Sequence, residues 1–307
     1  MGTDIARCRL AAGRLYRAFA SEGIHGHQDM PEDLLPAGVA RRSLEQILFI
    51  TLTVSIDYQR DAPSLWESSR KTMADPETRY LFSPGRLHES GLAKVRNDML
   101  RHGLAKKPCK DAYIWHTVGV TFLKKYGGDP RNLLLACSWD AVKVLRALRD
   151  GRHTQRNREV LDFPYLRDPK IGPLWLRMLR DNVGMTELRS MEEVPLPVDV
   201  HVARATLCLG IVRGTFSGPV QKIYQLIRRA WHEGVKGLEA AGRPMIALDL
   251  DEALWHLSKY GCTRRDPESG HCPVARTCPV RDLCWPGAIK LTGPKLELRE
   301  VPCASVR

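Results

Sequence analysis

The sequence predicts an all-α protein, and three observations carry this fold class. Apolar residues recur every third or fourth position, glycine and proline clusters separate the segments with this spacing, and no Asn-Gly or Asp-Gly turn joins two alternating strands. The helical spacing is present in segments 44–52, 112–122, 141–148 and 220–227. We therefore expect about ten helices and little or no sheet.

The composition is that of a globular protein with an excess of positive charge. Hydrophobic residues make up 43% of the 307 residues, and the mean hydropathy is −0.29. Lysine and arginine number 47 against 35 acidic residues, which leaves a net charge of +12. This charge favours a phosphate backbone or another anionic surface as the partner, although a basic protein without such a partner has the same composition.

Neither a membrane span nor a targeting segment is expected. The longest apolar run, Ile47–Val54, is far shorter than the roughly 20 residues that a membrane span needs. The segment Met1–Arg9 lacks the apolar core of a signal peptide. Nine cysteines, an odd number, without a secretory signal indicate a reducing compartment.

Segment 149–158 is the most polar of the chain and holds four arginines around Asp150-Gly151. We expect it to form a surface loop. Its arginines either contact phosphates or are simply solvated, and the sequence leaves both interpretations open.

A helix–hairpin–helix pattern is present in segment 163–179. A tight turn ends at Gly172, and Pro173 takes the first helical position, as is typical of a helix start. Such a turn leaves backbone N–H groups unpaired at the start of the second helix, where they suit a DNA phosphate.

Asp199 is a lone carboxylate in the apolar segment 196–202, which makes it a candidate for chemistry. A carboxylate near the sugar C1′ stabilises the positive charge that builds up when an N-glycosidic bond breaks, and it can orient or deprotonate a water. The other interpretation is an N-cap for a helix that begins near His201, and one residue can fill both roles.

Four cysteines lie close together near the C-terminus, at Cys262, Cys272, Cys278 and Cys284, with gaps of nine, five and five residues. Four thiolates suit either a [4Fe–4S] cluster or tetrahedral zinc. Zinc sites usually contain cysteines two to four positions apart, so the spacing favours iron and sulfur. The other cysteines lack ligand-like spacing and are expected to pack in the core, namely Cys8, Cys109, Cys137, Cys208 and Cys303.

Taken in order, these motifs resemble the helix–hairpin–helix (HhH-GPD) DNA glycosylase superfamily, in its endonuclease III-like branch with an iron–sulfur cluster loop. The resemblance covers about residues 42–290. Asp168–Gly172 is similar to the family's hairpin, Val198–His201 to its Val-Asp-x-His segment, and the four cysteines to its cluster loop. More loosely, Ser55–Gln59 resembles a Ser-x-Gln-like turn, and Gly103-Leu104 resembles the turn that wedges into the base stack.

The resemblance implies two helical lobes with a DNA cleft between them. Residues 42–192 would form the helical barrel domain with the helix–hairpin–helix, and residues 1–41 and 193–307 the iron–sulfur cluster domain. It further implies a [4Fe–4S] cofactor, double-stranded DNA with a damaged or mismatched base as partner, a monomer, and a cytoplasmic (nucleoid-associated) location away from membranes.

Individual roles follow from the same resemblance. Asp199 would be catalytic, Leu104 the wedge, and Asp57 or Gln59 the plug opposite the estranged base. Tyr58 or Trp175 would line the base pocket or belong to the core. DNA phosphates would contact the hairpin and the arginines of the cysteine loop, namely Lys170, Ile171, Gly172, Pro173, Arg264, Arg265, Arg276 and Arg281.

The departures from the family pattern bear on the reaction. Bifunctional members carry a nucleophilic lysine two residues after the last glycine of the hairpin, and Leu174 stands there. Lyase activity should therefore be absent or weak. A bifunctional glycosylase/AP lyase with a relocated lysine and a non-catalytic lesion-recognising protein remain alternatives. Neither the target base nor the effect of the long connection between Leu174 and Asp199 follows from the sequence.

Overall fold

The computed structural model describes residues 1–155 and 157–299, so Arg156 and Cys303 lie outside the described residues. Within these ranges it contains eleven α-helices and nine short β-strands, and helices account for 55% of the structure. The helices are α1 (Ile5–Ser21), α2 (Leu44–Ser55), α3 (Ala62–Ala74), α4 (Pro84–Asp98), α5 (Pro108–Tyr126), α6 (Pro130–Ala136), α7 (Ala141–Asp150), α8 (Ile171–Asp181), α9 (Val200–Cys208), α10 (Tyr224–Gly234) and α11 (Asp251–His256). The strands are β1 (Gly2–Thr3), β2 (Arg152–Gln155), β3 (Arg158–Leu161), β4 (Val212–Arg213), β5 (Phe216–Pro219), β6 (Glu239–Ala240), β7 (Arg243–Pro244), β8 (Ala288–Thr292) and β9 (Lys295–Arg299). The predicted all-α class is confirmed.

The chain divides into two compact units. The first is Met30–Val194, and the second combines Met1–Asp29 with Pro195–Arg307. We expected the barrel domain to span 42–192, whereas residues 30–41 group with the barrel helices. The reason lies in Glu32, whose side chain is buried against Arg177 of α8 with 2.5 Å between Oε1 and Nη2.

The unit Met30–Val194 is built around α2. Every residue of this helix from Gln46 to Ser55 is buried, as expected for a helix that is packed on all sides. Buried tryptophans surround it, and each finds an acceptor for its indole N–H. Trp175 Nε1 donates to Thr51 Oγ1 at 2.9 Å, and Trp115 Nε1 donates to the Leu81 carbonyl at 2.8 Å.

Segment 149–158 is not the predicted surface loop. β2 and β3 form an antiparallel hairpin in which Arg152 pairs with Leu161 and Gln155 with Arg158. Asn157 adopts a φ of 60°, which suits a tight turn. The buried Asp162 fixes the base of the hairpin, because its carboxylate binds Lys125 Nζ and His153 Nδ1. The hairpin was missed because its residues are mostly polar and show no alternation of apolar and polar positions.

The second unit packs α1 against α10. The Cys8 thiol donates to the Ala230 carbonyl at 3.2 Å, and a Cβ on Gly234 would lie 2.4 Å from that sulfur, so only glycine permits the approach. Trp231 of α10 donates from Nε1 to Thr206 Oγ1 of α9 at 2.9 Å, and this bond connects α10 to α9 inside the core.

A three-stranded antiparallel sheet in the order β5-β9-β8 lies in the same unit, and the sheet content of the structure remains small, as expected. Leu296 and Leu298 of β9 are fully buried and join the core. The alternation of apolar and polar residues in this short hairpin is a strand signal that the search for Asn-Gly and Asp-Gly turns did not detect. In the described residues, no helix combines the length and the apolar composition that crossing a membrane requires.

Candidate functional site

Asp199 is the N-cap of α9. Its Oδ1 accepts hydrogen bonds from the backbone N–H groups of His201 at 2.8 Å and Val202 at 2.9 Å. Both bonds end on the same oxygen, so Oδ2 is the oxygen left to face a substrate. The capping role expected as an alternative is therefore real, and it is compatible with chemistry at the second oxygen.

The segment before Asp199 is held rigidly. Leu196 and Val198 are buried in the core of this unit, and the buried guanidinium of Arg228 donates from Nε to the Leu196 carbonyl at 3.3 Å. On the other side, the Thr206 hydroxyl bonds back to the Val202 carbonyl at 2.7 Å. The carboxylate therefore has a fixed position, which electrostatic stabilisation of a transition state requires.

The N-terminus of α9 lies against Asp199. The first turn of this helix directs backbone N–H groups and the positive end of the helix dipole toward the side chain. His201 points its Nδ1 to the Ser258 hydroxyl at 3.2 Å. This contact gives His201 a hydrogen-bonding role within the fold.

The hairpin before α8 differs from the expected helix–hairpin–helix. Residues 162–170 form turns, and the β2–β3 hairpin separates them from α7. The N–H of Lys170 donates to Asp168 Oδ1 at 2.8 Å, and the N–H of Gly172 donates to the Asp168 carbonyl at 3.0 Å. Two of the amides that we expected to be unpaired are therefore already used, and Pro173 has none. Ile171 supplies the remaining amide, although its side chain is buried.

Gly172 is required by its neighbours. A Cβ at this position would lie 3.0 Å from Leu145 Cδ2 and 3.0 Å from the Leu166 carbonyl oxygen. The start of α8 therefore packs closely on α7 and on the turn, which keeps the hairpin fixed in position.

Lys170 forms an ion pair with Asp57. Its Nζ lies 3.2 Å from Asp57 Oδ2 and 3.3 Å from the Asp57 carbonyl oxygen. Asp57 is buried, so it cannot serve as the plug proposed from the sequence. Instead it ties the lysine of the hairpin to the end of α2, a pairing that no sequence pattern indicated.

Gln59, the other plug candidate, is exposed and has a φ of 50°. Lys107 Nζ donates to its Oε1 at 2.6 Å, and Lys106 Nζ donates to its carbonyl at 2.9 Å. The neighbouring Tyr58 stacks on Tyr165 with ring centroids 4.3 Å apart. An exposed amide, two lysines and stacked rings thus lie together on one surface of this unit.

Leu104 is fully buried, which contradicts its expected role as a wedge into the base stack. Gly103, at a φ of 69°, turns the chain so that Leu104 enters the core, and Arg60 Nη1 binds its carbonyl at 2.9 Å. Leu100 lies just after the end of α4, and its side chain projects outward here with 49% exposure. Trp175 likewise belongs to the core.

Leu174 occupies the position two residues after Gly172, at which a lyase lysine would be expected, and its side chain is buried. The nearest lysine of the hairpin is Lys170, whose ammonium group is held by Asp57.

The four-cysteine loop does not converge on one ion. Within the described residues, no group of three or more His, Cys, Asp or Glu side chains is arranged to hold a metal ion. The thiols are nevertheless electrostatic neighbours. Burial, together with the charges of Cys278, Cys208 and Cys272, raises the pKa of Cys284 to about 11. Cys208, which the sequence gave no reason to select, is thus part of this cluster of thiols.

The arginines of the loop divide into two groups. Arg264, Arg276 and Arg281 are exposed and can meet phosphates, as expected. Arg265 is buried and donates from Nη2 to the carbonyls of Trp285 at 2.8 Å and Gly287 at 3.0 Å. Its predicted contact with phosphate is therefore wrong, because the guanidinium is directed into the protein.

Comparisons with known proteins agree with this architecture. No protein-family model and no curated protein matches the chain. Among solved structures, it is similar to a trapped covalent intermediate of endonuclease III with DNA, an estranged-adenine complex, with a TM-score of 0.51 and 12% identity over 92% of this chain and 98% of that one. It is also similar to a thermostable thymine-DNA glycosylase, with a TM-score of 0.49 and 12% identity over 91% and 98% of the two chains. The chain therefore shares its fold with endonuclease III.

Proposed function

We propose that this protein is a DNA glycosylase of base excision repair that hydrolyses the N-glycosidic bond of a damaged or mismatched base in duplex DNA. The observation that carries the proposal is the carboxylate of Asp199. It is fixed at the N-terminus of α9 with Oδ1 bound to two amides and Oδ2 left for a substrate. The fold supports the proposal, since a solved structure that shares it is endonuclease III trapped as a covalent intermediate with DNA.

The reaction requires the target nucleotide to leave the base stack, because a duplex hides the sugar C1′. As the glycosidic bond breaks, the departing base takes the bonding electron pair and positive charge develops on the sugar. Asp199 Oδ2 stabilises this charge and accepts a proton from the water that attacks C1′. Removal of one preorganised electrostatic group of this kind typically slows catalysis by about 10²–10³-fold.

The chemistry is expected to stop at hydrolysis. A lyase forms a Schiff base through a free amine near C1′, whereas Leu174 carries no amine and Lys170 is paired with Asp57. The product would be an intact strand with an abasic site. A lysine from another position would make the enzyme bifunctional, and this alternative is an outcome of the test below.

Binding to DNA would rely on exposed cations. In the cysteine loop these are Arg264, Arg276 and Arg281, and beside Gln59 they are Lys106 and Lys107. In the hairpin, the amide of Ile171 is the group left to receive a phosphate, with Lys170, Gly172 and Pro173 shaping the turn around it. Each phosphate neutralised adds a salt-dependent increment to affinity, in agreement with the net charge of +12.

We further propose a [4Fe–4S] cluster at the cysteine loop. The donors are all thiols, and their spacing lacks the close pairs of zinc sites. The bound cluster would act as a structural cross-link for the loop that carries the exposed arginines.

The test is base release from a panel of duplexes that carry uracil, oxidised, alkylated or mismatched bases, read with and without alkali. Asp199→Asn should lower base release by at least about 10²-fold while DNA binding stays within about twofold of the parent. Asparagine is also a good N-cap, so α9 should persist. Asp140→Asn is the matched control, because Asp140 caps α7 through the Lys143 amide at 2.9 Å and has no assigned chemistry.

Each outcome of this test is informative. Strand breaks that need alkali and disappear in Asp199→Asn support a monofunctional glycosylase and identify its base. Breaks without alkali indicate a bifunctional enzyme with a relocated lysine. Tight binding without release from any duplex favours a non-catalytic lesion-recognising protein, and full turnover by Asp199→Asn would refute the mechanism.

A further inference from the structure

The β2–β3 hairpin lies on the surface and adds no buried side chain to the core. Among the side chains that the structure describes in it, those of residues 152–154 and 158–161, none is buried. An isolated two-stranded hairpin is marginally stable in water, so a hairpin without a buried face gains little stability from its own packing. Its presence on this unit therefore calls for another explanation.

The base of the hairpin is fixed by close contacts. The Asp162 carboxylate, 2% exposed, accepts bonds from Lys125 Nζ at 2.5 Å and from His153 Nδ1 at 2.8 Å. The Asp162 N–H donates to the Gly151 carbonyl at 3.1 Å. A Cβ on Gly151 would lie 2.8 Å from Asp162 Oδ2 and 2.9 Å from the Ala147 carbonyl oxygen, so glycine is required there. The hairpin therefore has a fixed orientation on this unit.

The hairpin and its base carry an excess of positive charge. Arg158 is exposed on β3, and Arg152 of β2 donates from Nη1 to the Arg149 carbonyl at 2.9 Å. Asp150 lies among three arginines, since the hydrogen bond from Arg149 and the charges of Arg149, Arg152 and Arg167 lower its pKa. The acidic side chains of this region are fewer than the cationic ones, namely Asp150, Glu159 and the buried Asp162. Such a surface attracts a polyanion.

The size of the hairpin matches a groove of duplex DNA. Each strand has four residues, which corresponds to about 13 Å at about 3.3 Å per residue. The major groove is about 12 Å wide and admits a two-stranded ribbon. Thr154 is exposed, and the side chain of His153 is 34% exposed. Polar side chains of this kind can bond base edges, while arginines bind phosphates.

The base of the hairpin lies beside the start of α8. A Cβ on Gly172 would lie 3.8 Å from Leu148 Cδ1 of α7. Leu148 is three residues, less than one helical turn, before Gly151, at which the hairpin begins. The Ile171 amide proposed for a phosphate and the arginines at the base of the hairpin are therefore on neighbouring parts of the same unit.

We propose that the β2–β3 hairpin is a second DNA contact, which enters the major groove of the duplex while its arginines bind the phosphates beside the groove. This inference rests on the proposed function, because it takes duplex DNA as the partner, and it is independent of the chemistry at Asp199. It assigns a role to segment 149–158, whose arginines the proposed reaction does not use.

The first experiment measures the salt dependence of duplex binding by full-length Arg158→Ala. The slope of log affinity against log salt concentration should fall by about 0.9, as for the loss of one phosphate contact, whereas Arg158→Lys should keep the parental slope. Lys71→Ala is the matched control, because Lys71 is an exposed cation of the same unit that pairs with Glu67. An unchanged slope in Arg158→Ala, or an equal fall in Lys71→Ala, would overturn the proposal.

The second experiment tests the groove itself by methylation with dimethyl sulfate. The reagent attacks guanine N7 in the major groove and adenine N3 in the minor groove, so protection of N7 marks a major-groove contact. Replacement of residues 154–159 by Asn-Gly gives a two-residue turn and keeps the pairs Arg152–Leu161 and His153–Val160. This shortened variant should lose the N7 protection that the parent gives. A parent that protects no guanine N7, or a shortened variant that keeps the protection, would overturn the groove assignment.

Failure of this inference can be distinguished from failure of the proposed function. A parent that binds no duplex would refute both. A parent that releases a base, beside hairpin variants that bind as it does, would refute the role of the hairpin alone. A parent that protects guanine N7 but releases no base would refute the glycosylase and leave the hairpin assignment intact. Far-ultraviolet circular dichroism verifies that each variant is folded, and Arg158→Ala, a single change at an exposed position, covers the case in which the shortened variant is not.

Discussion

Glu32→Gln provides a quantitative test of how the hairpin helix α8 is held. The Glu32 carboxylate and the Arg177 guanidinium are both buried, with side-chain exposures of 3% and 0%. Desolvation raises the pKa of Glu32 and the adjacent guanidinium opposes that rise, so the pair exists only because each charge compensates the other. Glutamine removes the carboxylate charge that Glu32 places against the Arg177 guanidinium.

Loss of one partner of a buried ion pair typically costs about 3–5 kcal/mol. For a unit of this size, about 1 kcal/mol corresponds to about 2–4 °C in Tm, so the transition of this unit should fall by roughly 6–20 °C. Arg177→Met should cost a similar amount. The double variant should be less damaged than the sum of the two, because removal of both charges also removes the unpaired one.

The assay is urea and thermal unfolding of the full chain, followed by tryptophan fluorescence, with Glu67→Gln as control. Glu67 pairs with Arg70 on the surface, where an ion pair contributes little, so that change should stay below about 1 kcal/mol. A loss below about 1 kcal/mol for Glu32→Gln, or strict additivity in the double variant, would refute the reasoning.

Three further predictions concern other parts of the chain. Leu104→Ala should lower the unfolding free energy by about 2–5 kcal/mol, because it leaves a cavity at a buried position. Leu100→Ala, at an exposed position nearby, should change it by less than about 0.5 kcal/mol. Equal effects in the two unfolding curves would contradict the assigned burial. Arg276→Ala should weaken binding to every duplex alike and reduce the slope of log affinity against log salt concentration by about 0.9. Binding titrations at several salt concentrations measure this slope. An unchanged slope would show that Arg276 contacts no phosphate. Burial lowers the pKa of His256 to about 4, below its ordinary value of 6.5, so the unfolded state binds the proton more readily. The corresponding stability is present above pH 6.5 and is lost as the pH falls toward 4, and the loss between these values should be smaller in His256→Gln when urea unfolding is repeated across this range.

The sequence predicted features that depend on local pattern. The helices follow from apolar spacing, and the N-cap role of Asp199 follows from a carboxylate placed just before such a segment. The β2–β3 hairpin was missed because its residues are mostly polar and lack the apolar alternation of a half-buried strand. The signals that were found are those that a short window of sequence contains.

Features that depend on distant contacts could not be predicted. The burial of Leu104 results from the turn at Gly103 together with the core it enters, and the Lys170–Asp57 pair joins residues 113 positions apart. Cys208 illustrates the same limit. It lies far from the loop cysteines in the sequence, and only the end of α9 brings it to Cys262.

The short length of α9 explains why contacts at both of its ends, at Asp199 and at Cys208, are needed to hold it. Nine residues span about 13 Å, and an isolated helix of that length is unstable in water. Its position must therefore come from contacts at its ends. Arg228 and the buried Leu196 hold the approach to Asp199, while Trp285 binds the carbonyl of Cys208. These contacts at the two ends, and not the stability of the helix itself, therefore set the position of the Asp199 carboxylate.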